Sequence, residues 1–266
     1  MNDLVKKIQK VDNGKEFGLK DSPEFKEAFL SHRQDNINPA LDHIIRKESS
    51  KKSFRIGDFG GGNAILGKYF VDILKERNTN FVFDNIDIDP SKLIKYDGIS
   101  NIDADIRNYF PKECYDVILA RHLIHYLNSE EKKKTIKNIY DAAKKDSIFV
   151  LTQPVALDKR QQLFLNELYS SLSKLKDCNK KYWDTKKELI GYLKEVGFKD
   201  VEVYTNYDVF YTLNNFYKPR YKLDDNQIDI VKNKLKEGMD ISGIEKRTDY
   251  GTLMPSLVIV AKKGRK

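Results

Sequence analysis

The stretch IGDFGGGNAILG, which runs from Ile56 to Gly67, holds five glycines in twelve residues around one acidic side chain. Glycine weakens helices and strands because it loses more conformational freedom on folding than any other residue. A cluster of this density therefore indicates a backbone that turns sharply or that a ligand approaches closely. A tight turn alone needs one or two glycines, whereas four lie between Gly57 and Gly62. The stretch therefore predicts a ligand-binding turn.

Strands and helices are predicted to alternate on both sides of this turn. Apolar runs predict strands at 54–59, 81–87, 99–104, 115–120 and 147–153, and helical periodicity predicts helices at 64–77 and 129–144, with a short helix that begins at Ser91. The first helix is expected to carry Ile65, Tyr69 and Ile73 on one face. Because the strands are apolar along their whole length, they predict a parallel sheet that helices cover on both faces. Ligands of such sheets bind at the carboxyl ends of the strands, where the glycines lie.

The regions outside this pattern are predicted to be mainly helical. Ser22 and Pro23 have the character of a helix start, a second helix is predicted at 39–47, and the polar link 49–53 follows. After Pro154, helices are predicted at 157–177, 185–196 and 224–236, and strands at 199–204 or beyond and at 256–261. These features predict an N-terminal helical cap at 1–52 and a core at 53–266, with helical insertions at about 155–183 and 205–248.

Composition and cysteine usage exclude several classes of protein. No apolar run approaches the roughly 20 residues that span a bilayer, and the first residues lack the apolar core of a signal peptide. Cys114 and Cys178 stand alone, without the spacing of a metal site. A disulfide framework and a structural zinc site are therefore not expected, no metal is predicted, and the cytoplasm is the predicted location.

The net charge of +8 raises the possibility of a nucleic-acid ligand. The lysines are spread along the chain, however, and no arginine-rich tract or regular aromatic interleaving occurs. This distribution favours solvated helix faces over a surface that binds a phosphate backbone. Nucleic acid therefore stays a disfavoured but open alternative.

Two classes of cofactor compete for the glycine turn. A dinucleotide fingerprint requires G-x-G-x-x-G, and counted from Gly60 the position of its third glycine is Ile65. The string DFGGGNA, Asp58 to Ala64, instead resembles the D-x-G-x-G-x-G motif of class I S-adenosylmethionine-dependent methyltransferases, with Ala64 in place of the last glycine. The turn is thus more similar to the methyltransferase motif than to the dinucleotide motif.

Five further segments resemble the same family in the same order. NIDIDP (85–90) is similar to its second motif, ADIR (104–107) to its third, and YDVILARHLIHYL (115–127) to its fourth-strand pattern. The segments ELIGYLKEVGFKDVEV (188–203) and PSLVIVAKK (255–263) resemble its last helix, sixth strand and closing antiparallel strand. The likeness covers roughly residues 54–204 and 255–263, and the ordered set is more specific than any single motif.

The resemblance implies an α/β fold: a doubly wound, mostly parallel seven-stranded sheet with an antiparallel last strand, N-terminal helices and helical lid insertions. It implies S-adenosyl-L-methionine as the cofactor. The glycines would make room for its methionine and ribose parts, Asp87 (or Asp89) would take the ribose hydroxyls, and Asp105 and Ile106 would address the adenine. Asp58 would order the turn or meet the ammonium group of the ligand. The implied cofactor-binding residues are Asp58, Gly60, Gly61, Gly62, Asp87, Ile88, Asp105, Ile106 and Arg121.

Two histidines follow the fourth predicted strand, at the edge where the methyl group would lie. His122 and His125 are therefore the candidate general bases, because a histidine can take up a proton near neutral pH. His125 has an alternative role in packing and hydrogen bonding at a helix start, where the family often has a histidine. Arg121 is expected to bracket the cofactor or a substrate anion, and Arg33 is either a ligand of the cofactor carboxylate or a solvated surface residue.

The methyl acceptor is expected to be a small organic molecule. The strand-four segment reads ARHL instead of the N/D/S-P-P-Y/F/W motif of amino-methylating DNA enzymes, and no cysteine lies at a catalytic position for pyrimidine C5 methylation. Aromatic residues in the predicted insertions favour an enclosed pocket beneath a lid. An RNA or protein acceptor and a catalytically silent binding subunit remain alternatives. The choice between O, N and C and the oligomeric state stay open.

Overall fold

A computed structural model describes residues 37–47, 53–109, 111–176, 178–241 and 250–264. The predicted helix start at Ser22 and Pro23, Arg33, most of the link 49–53 and residues 242–248 of the last insertion lie outside these ranges. The described residues form two compact units. The helical unit comprises those in Pro154–Glu188 and Asn206–Leu257, and the sheet unit those in Arg33–Gln153, Leu189–Thr205 and Val258–Lys266. The predicted domain boundaries stay a prediction.

Seven strands form one sheet in the order β3-β2-β1-β4-β5-β7-β6. They are β1 (Phe54–Phe59), β2 (Phe81–Asp87), β3 (Ile99–Asp103), β4 (Tyr115–Arg121), β5 (Ala143–Pro154), β6 (Lys199–Thr212) and β7 (Gly251–Lys262). The pairs β1–β2, β2–β3, β1–β4 and β4–β5 are all parallel. This order confirms the predicted doubly wound fold, because the chain reverses its direction of travel across the sheet after β3.

The last strand, β7, runs antiparallel to β5. At one end Lys263 N donates to Ser147 O (3.2 Å), and at the other Val155 N donates to Pro255 O (2.8 Å). As the residue numbers rise along β5 they fall along β7, which defines an antiparallel pair. The predicted antiparallel last strand is therefore confirmed.

Seven described helices accompany the sheet. They are α1 (residues 37–47), α2 (Ile65–Glu76), α3 (Ser129–Ala142), α4 (Lys159–Lys176), α5 (Lys186–Glu195), α6 (Lys218–Tyr221) and α7 (Asp225–Ile241). A π-helical turn, Leu213–Tyr217, precedes α6. Strand β6 continues to Thr212, so the first residues of the insertion expected at about 205–248 form a strand instead of a helix.

The most buried row of α2 is not the apolar row that was singled out in the sequence. The row that starts at Ile65 is only partly covered, and the buried row begins one position later: Leu66, Phe70, Val71 and Leu74. Both rows are apolar, so periodicity alone could not separate them. The contact with the sheet determines which row is buried. The Phe70 ring packs edge-on against the Phe83 ring of β2, with 6.3 Å between the ring centroids.

The helical unit has an apolar core of its own, built mainly by α4 and α7 with the π-helical turn. Its members are Ala156, Phe164, Leu165, Leu168, Tyr169, Leu172, Trp183, Leu213, Tyr217, Leu223, Val231, Leu235 and Met254. The helix predicted at 157–177 is confirmed as α4, and Leu165, Leu168 and Leu172 lie on its buried side, whereas Leu163 is exposed. A core of this size is what a compact unit needs to offset the entropy lost on folding.

Candidate functional site

The glycine turn joins β1 to α2 and is tied to the end of β2. Gly60 N and Gly61 N both donate to Ile86 O, at 2.8 and 3.3 Å. Gly60 and Gly62 have φ values of +72° and +56°, in the left-handed region that favours glycine. The turn therefore presents bare backbone at the carboxyl end of the sheet, which is the arrangement that the motif predicts.

Ala64, which stands in place of the last glycine of the motif, adopts a left-handed conformation. Its φ is +53° and its ψ is +33°, directly before the first residue of α2. A left-handed conformation costs an L-residue with a Cβ about 1–2 kcal/mol. The position therefore has a backbone conformation that favours glycine, and alanine is the residue with the smallest side chain after glycine.

Gly61 is required by a close approach. A Cβ at this position would lie 2.2 Å from Asn85 Oδ1 and 2.7 Å from Asp58 Oδ2. Asp58 and Asn85 are register partners on the neighbouring strands β1 and β2, so both side chains meet the turn from the same edge of the sheet. Any side chain at position 61 would displace them. Asn85 is a site residue that the motif comparison did not single out.

Asp58 is buried without enough donors. It is 2% exposed, and its Oδ1 atom accepts no hydrogen bond from the described residues, as is also true of Asn85 Oδ1. Burial raises the pKa of the Asp58 carboxyl to about 7; the charge of Arg121 opposes this rise and the charge of Asp87 adds to it. Buried oxygens of this kind normally have a donor. A ligand with a hydrogen-bond donor or a cationic group would therefore satisfy the buried oxygens at the turn.

Asp87 lies at the end of β2 and braces the turn. Its Oδ2 accepts a hydrogen bond from Gly62 N and its Oδ1 accepts one from Asp89 N, both at 2.9 Å. Each carboxylate oxygen can accept a further bond, so the side chain keeps capacity for two hydroxyl donors. The next residue, Ile88, is 56% exposed at the same edge.

Asp89 has a different function from Asp87. Its Oδ1 accepts hydrogen bonds from Ser91 N (3.1 Å) and Ser91 Oγ (2.5 Å), which starts the short 3₁₀ helix Pro90–Lys92. Its Oδ2 forms an ion pair with Lys92 at 3.1 Å. The Asp89 carboxylate therefore binds residues of its own loop. Of the two candidate acids, the one in contact with the glycine turn is Asp87.

Asp105 is held by an ion-pair chain. Arg107 Nε lies 3.0 Å from both of its carboxylate oxygens, and Arg107 Nη1 contacts Glu131 Oε1 at 2.9 Å. Arg107 holds the pKa of Asp105 below its usual range, so the carboxylate is ionised. The adjacent Ile106 is buried, and Ala104 N donates to Asp87 O at 3.1 Å, which joins this segment to the ribose-binding candidate.

Glu131 was not expected in this network. It belongs to a capping box at the start of α3, where the Asn128 side chain accepts from Glu131 N and the Glu131 side chain accepts from Asn128 N (both 3.0 Å). The spacing N-x-x-E before a helix is a sequence signal that would have found it. The capping carboxylate thereby also fixes the orientation of Arg107 beside Asp105.

The loop after β4 packs directly against the glycine turn. A Cβ at Gly60 would lie 2.7 Å from Leu123 Cδ1, so the Leu123 side chain packs against the bare backbone of Gly60. His122 has a φ of +53°, and its N–H donates to Thr152 O at 2.8 Å. A histidine in this conformation is strained, and the bond to β5 holds it there. Arg121, at the end of β4, is partly exposed and interacts electrostatically with Asp58.

His125 is buried and is held by the side chain of Gln153 on β5. His125 is 5% exposed, and its Nδ1 lies 2.8 Å from Gln153 Nε2, while Gln153 Oε1 accepts from Ile124 N at 3.1 Å. Since the amide oxygen is used by Ile124, the amide nitrogen donates to His125 Nδ1, and neutral His125 carries its proton on Nε2. Gln153 thus clamps the loop. Its position on β5 carries no motif, so only the structure identifies it.

The site fits the cofactor that the resemblance implies. The buried oxygens of Asp58 and Asn85 lack donors, and an ammonium group is such a donor. The glycine backbone leaves room for a ligand, and Asp87 is an ionisable acceptor next to it. Among the described residues, no three His, Cys, Asp or Glu side chains are arranged to hold a metal ion. None of the helices in the described ranges has the length and hydropathy needed to cross a membrane.

Comparisons with known proteins agree with this geometry. A family model described as a methyltransferase domain matches residues 29–203. No curated protein matches this sequence. Among solved structures, the YcgJ protein from Bacillus subtilis is similar in fold with a TM-score of 0.65 and 13% identity, over 86% of this chain and 100% of that chain.

Two further structures have the same fold at low sequence identity. A candidate sarcosine dimethylglycine methyltransferase from Galdieria sulphuraria has a TM-score of 0.57 and 12% identity, and 99% of each chain is covered. Phosphoethanolamine N-methyltransferase 2 from Haemonchus contortus, in complex with S-adenosyl-L-methionine, has a TM-score of 0.51 and 16% identity, over 86% of this chain and 53% of that chain. At these identities the likeness shows the fold.

The raised pKa of Asp58 predicts a pH-dependent stability. The native carboxyl keeps its proton up to about pH 7, whereas the unfolded one releases it near the ordinary value of 3.8. Between these values the native state binds more protons, so the free energy of unfolding falls as pH rises. At 1.36 kcal/mol per pKa unit the fall is about 4 kcal/mol. Urea denaturation of the ligand-free protein across this range measures it.

Asp58→Asn is the matched variant, because it keeps the shape of the side chain and removes its titration. The difference in unfolding free energy between wild type and variant should change with pH between about 4 and 7 and be constant above pH 7. A difference that is independent of pH throughout would contradict the assignment of a raised pKa to Asp58.

Proposed function

Because the chain belongs to the methyltransferase-domain family, whose enzymes use S-adenosyl-L-methionine, we propose that it methylates an oxygen, nitrogen or carbon atom of a small organic molecule. The observation that carries the proposal is the meeting of the glycine turn, Asp87 and the loop of His122 at one edge of the sheet unit. When bound, the cofactor supplies a methyl group on a sulfonium, which needs no further activation. The residues of the chain have to hold the cofactor, orient the acceptor towards the methyl group and remove a proton from the acceptor.

The cofactor-binding roles follow from the surroundings of each residue. Asp87 is placed to accept two hydroxyls, since both of its oxygens lie at the turn and retain acceptor capacity. Asp58, with Arg121 as its neighbour, meets the ammonium group, and its carboxyl must lose its proton to do so. Asp105 accepts from the adenine amino group, and the exposed Ile88 and buried Ile106 give the apolar contacts to the ring.

Of the two histidines, His122 is the better candidate for the general base. It is partly exposed, and its strained backbone is held next to the turn by Thr152. In the arrangement with Gln153, the free lone pair of His125 already accepts a hydrogen bond, so His125 has none to offer to an acceptor proton. We therefore assign His122 as the base and His125, with Gln153, as residues that position the loop.

The charges around the turn support a small acceptor over a nucleic acid. Three carboxylates, those of Asp87, Asp89 and Asp105, and the carboxyl of Asp58 lie at this edge beside the cations of Lys92, Arg107 and Arg121. Such an edge has no positive excess to attract a phosphate backbone. Two of the structures with this fold are described as methyltransferases of phosphoethanolamine and of sarcosine and dimethylglycine, which are small molecules.

The acceptor class is tested with labelled S-adenosyl-L-methionine and separated small-metabolite, RNA and protein fractions of the host. We expect label in the small-metabolite fraction. Label only in RNA or only in protein would replace the small-molecule proposal with that acceptor. If the folded protein binds the cofactor and labels no fraction, the chain is a catalytically silent binding subunit.

Asp87 and Asp89 form a matched pair for testing the cofactor assignment. Asp87→Asn should weaken binding of S-adenosyl-L-methionine by about 10-fold or more, because hydrogen bonds to a charged group contribute about 1.5–3 kcal/mol. Asp89→Asn removes the same charge two residues away and should change the affinity by less than about 3-fold. Isothermal titration calorimetry measures both. Equal losses, or a larger loss for Asp89→Asn, would contradict the assignment.

His122→Asn tests the base without disturbing the backbone, since asparagine tolerates a positive φ. We expect kcat to fall by about 10²–10⁴-fold while cofactor affinity is kept, because general-base catalysis contributes that much. The pH dependence of kcat should also lose its acidic limb. His125→Ala should alter kcat, KM and thermal stability together, as Gln153→Leu should. The reverse pattern, with cofactor binding kept and kcat lost only in His125→Ala, would transfer the role of base to His125.

A further inference from the structure

A second groove lies in the sheet unit, away from the glycine turn. It has a volume of about 500 Å³ and is lined by side chains from α1, the starts of β5 and β6, and the end of β7. Its lining residues are His43, Arg46, Lys47, Asp146, Lys199, Asp200, Lys262, Lys263 and Gly264. We refer to it as the basic groove.

The basic groove is at the opposite edge of the sheet from the cofactor site. Strand β5 extends from the basic groove to the cofactor site. Asp146 lines the groove, and Thr152 pairs with Arg121 at the end of β4 near the glycine turn. These two residues are six positions apart, which is about 20 Å along a strand. A small ligand in the groove therefore cannot also contact the glycine turn. The groove is thus separate from the cofactor site.

The groove carries an excess of positive charge. Five cationic side chains and two carboxylates line it, which leaves a formal charge of +3 without His43. The Asp200 carboxylate pairs with Lys262 at 3.4 Å. Lys47 Nζ donates to the backbone oxygen of Asp146 at 2.7 Å. No described carboxylate pairs with Arg46 or Lys199. Two exposed cations thus face the groove without an anionic partner among the described residues.

The position of Lys199 depends on a close contact with the end of β7. Gly264 has no side chain, and a Cβ there would lie 2.8 Å from Lys199 Cδ. The stem of Lys199 therefore lies against bare backbone. His43, which is 6% exposed on α1, forms part of the wall next to Arg46. The groove is built from four segments that are remote in sequence, and it is not a run of neighbouring surface lysines.

We propose that the basic groove binds a phosphate group. A guanidinium fork matches two phosphate oxygens, and lysine ammonium groups add point charges around them, so Arg46 and Lys199 are the primary ligands. The phosphate belongs either to a small phosphorylated compound or to the backbone of RNA. The groove is independent of the proposed methyl-acceptor site, and the proposal does not depend on which acceptor is methylated.

The test uses two probes and two charge-matched double variants of the full chain. The probes are pyrophosphate, followed by calorimetry, and a fluorescein-labelled single-stranded RNA, followed by anisotropy. Arg46→Ala with Lys199→Ala removes the two primary ligands. Arg77→Ala with Lys194→Ala is the control, because it removes one exposed arginine and one exposed lysine elsewhere in the sheet unit and gives the same net charge.

We expect at least one probe to bind the wild type and the control equally, and the groove variant at least about 10-fold more weakly. Pyrophosphate binding alone identifies a small phosphate ligand. RNA binding that pyrophosphate displaces, with a steep loss at rising salt, identifies a nucleic-acid backbone. All variants should keep wild-type affinity for S-adenosyl-L-methionine, so this result is separate from the methyltransferase assignment.

Two outcomes would overturn the proposal. In the first, neither probe binds the wild type at low salt. In the second, both double variants lose affinity to the same extent, which would show attraction by net charge alone and no site at Arg46 and Lys199.

Discussion

The close approach of Gly61 to Asp58 and Asn85 is the contact on which the rest of the site depends. There is no space for a Cβ, so the turn can lie against the ends of β1 and β2 only with glycine at this position. The Asp58 carboxyl beside this contact is buried, and burial raises its pKa to about 7. The glycine at position 61 thus shapes the ligand-binding backbone next to a buried oxygen that lacks a donor, which a ligand can supply.

The two edges of the sheet have opposite electrostatic character. At the carboxyl ends of the parallel strands, Asp58, Asp87 and Asp105 supply acceptors, which suits a ligand with an ammonium group and hydroxyls. At the other edge, antiparallel β7 brings Lys262 and Lys263 to the starts of β5 and β6, where more cations collect. Asp146 and Thr152 are six positions apart on β5, so the two edges are separated by about 20 Å, a distance that side chains cannot span. One sheet can thus carry two sites with different ligands.

His122 and His125 show how equal sequence signals become unequal roles. The two residues are three positions apart after the same strand, and residue chemistry makes each a candidate base. Gln153 separates them, since its amide takes the lone pair of His125 and leaves His122 on the loop that faces the turn. Gln153 is 28 residues from His125 and lies on the neighbouring strand, so no local pattern points to it.

By itself the sequence determined the features that depend on local backbone chemistry. These are the glycine turn, the alternation of strands and helices and the parallel sheet, because conformational freedom and periodicity are properties of neighbouring residues. The resemblance to a known family added the antiparallel last strand and the acid at the end of β2. Only the tertiary structure decided which row of α2 is buried, that Asp89 is used by its own loop, that Gln153 clamps His125, and that dispersed cations such as Arg46 and Lys199 meet in one groove. Each of these depends on a contact between segments far apart in the chain, and the free energy of such a contact is set by packing and burial that no local pattern contains.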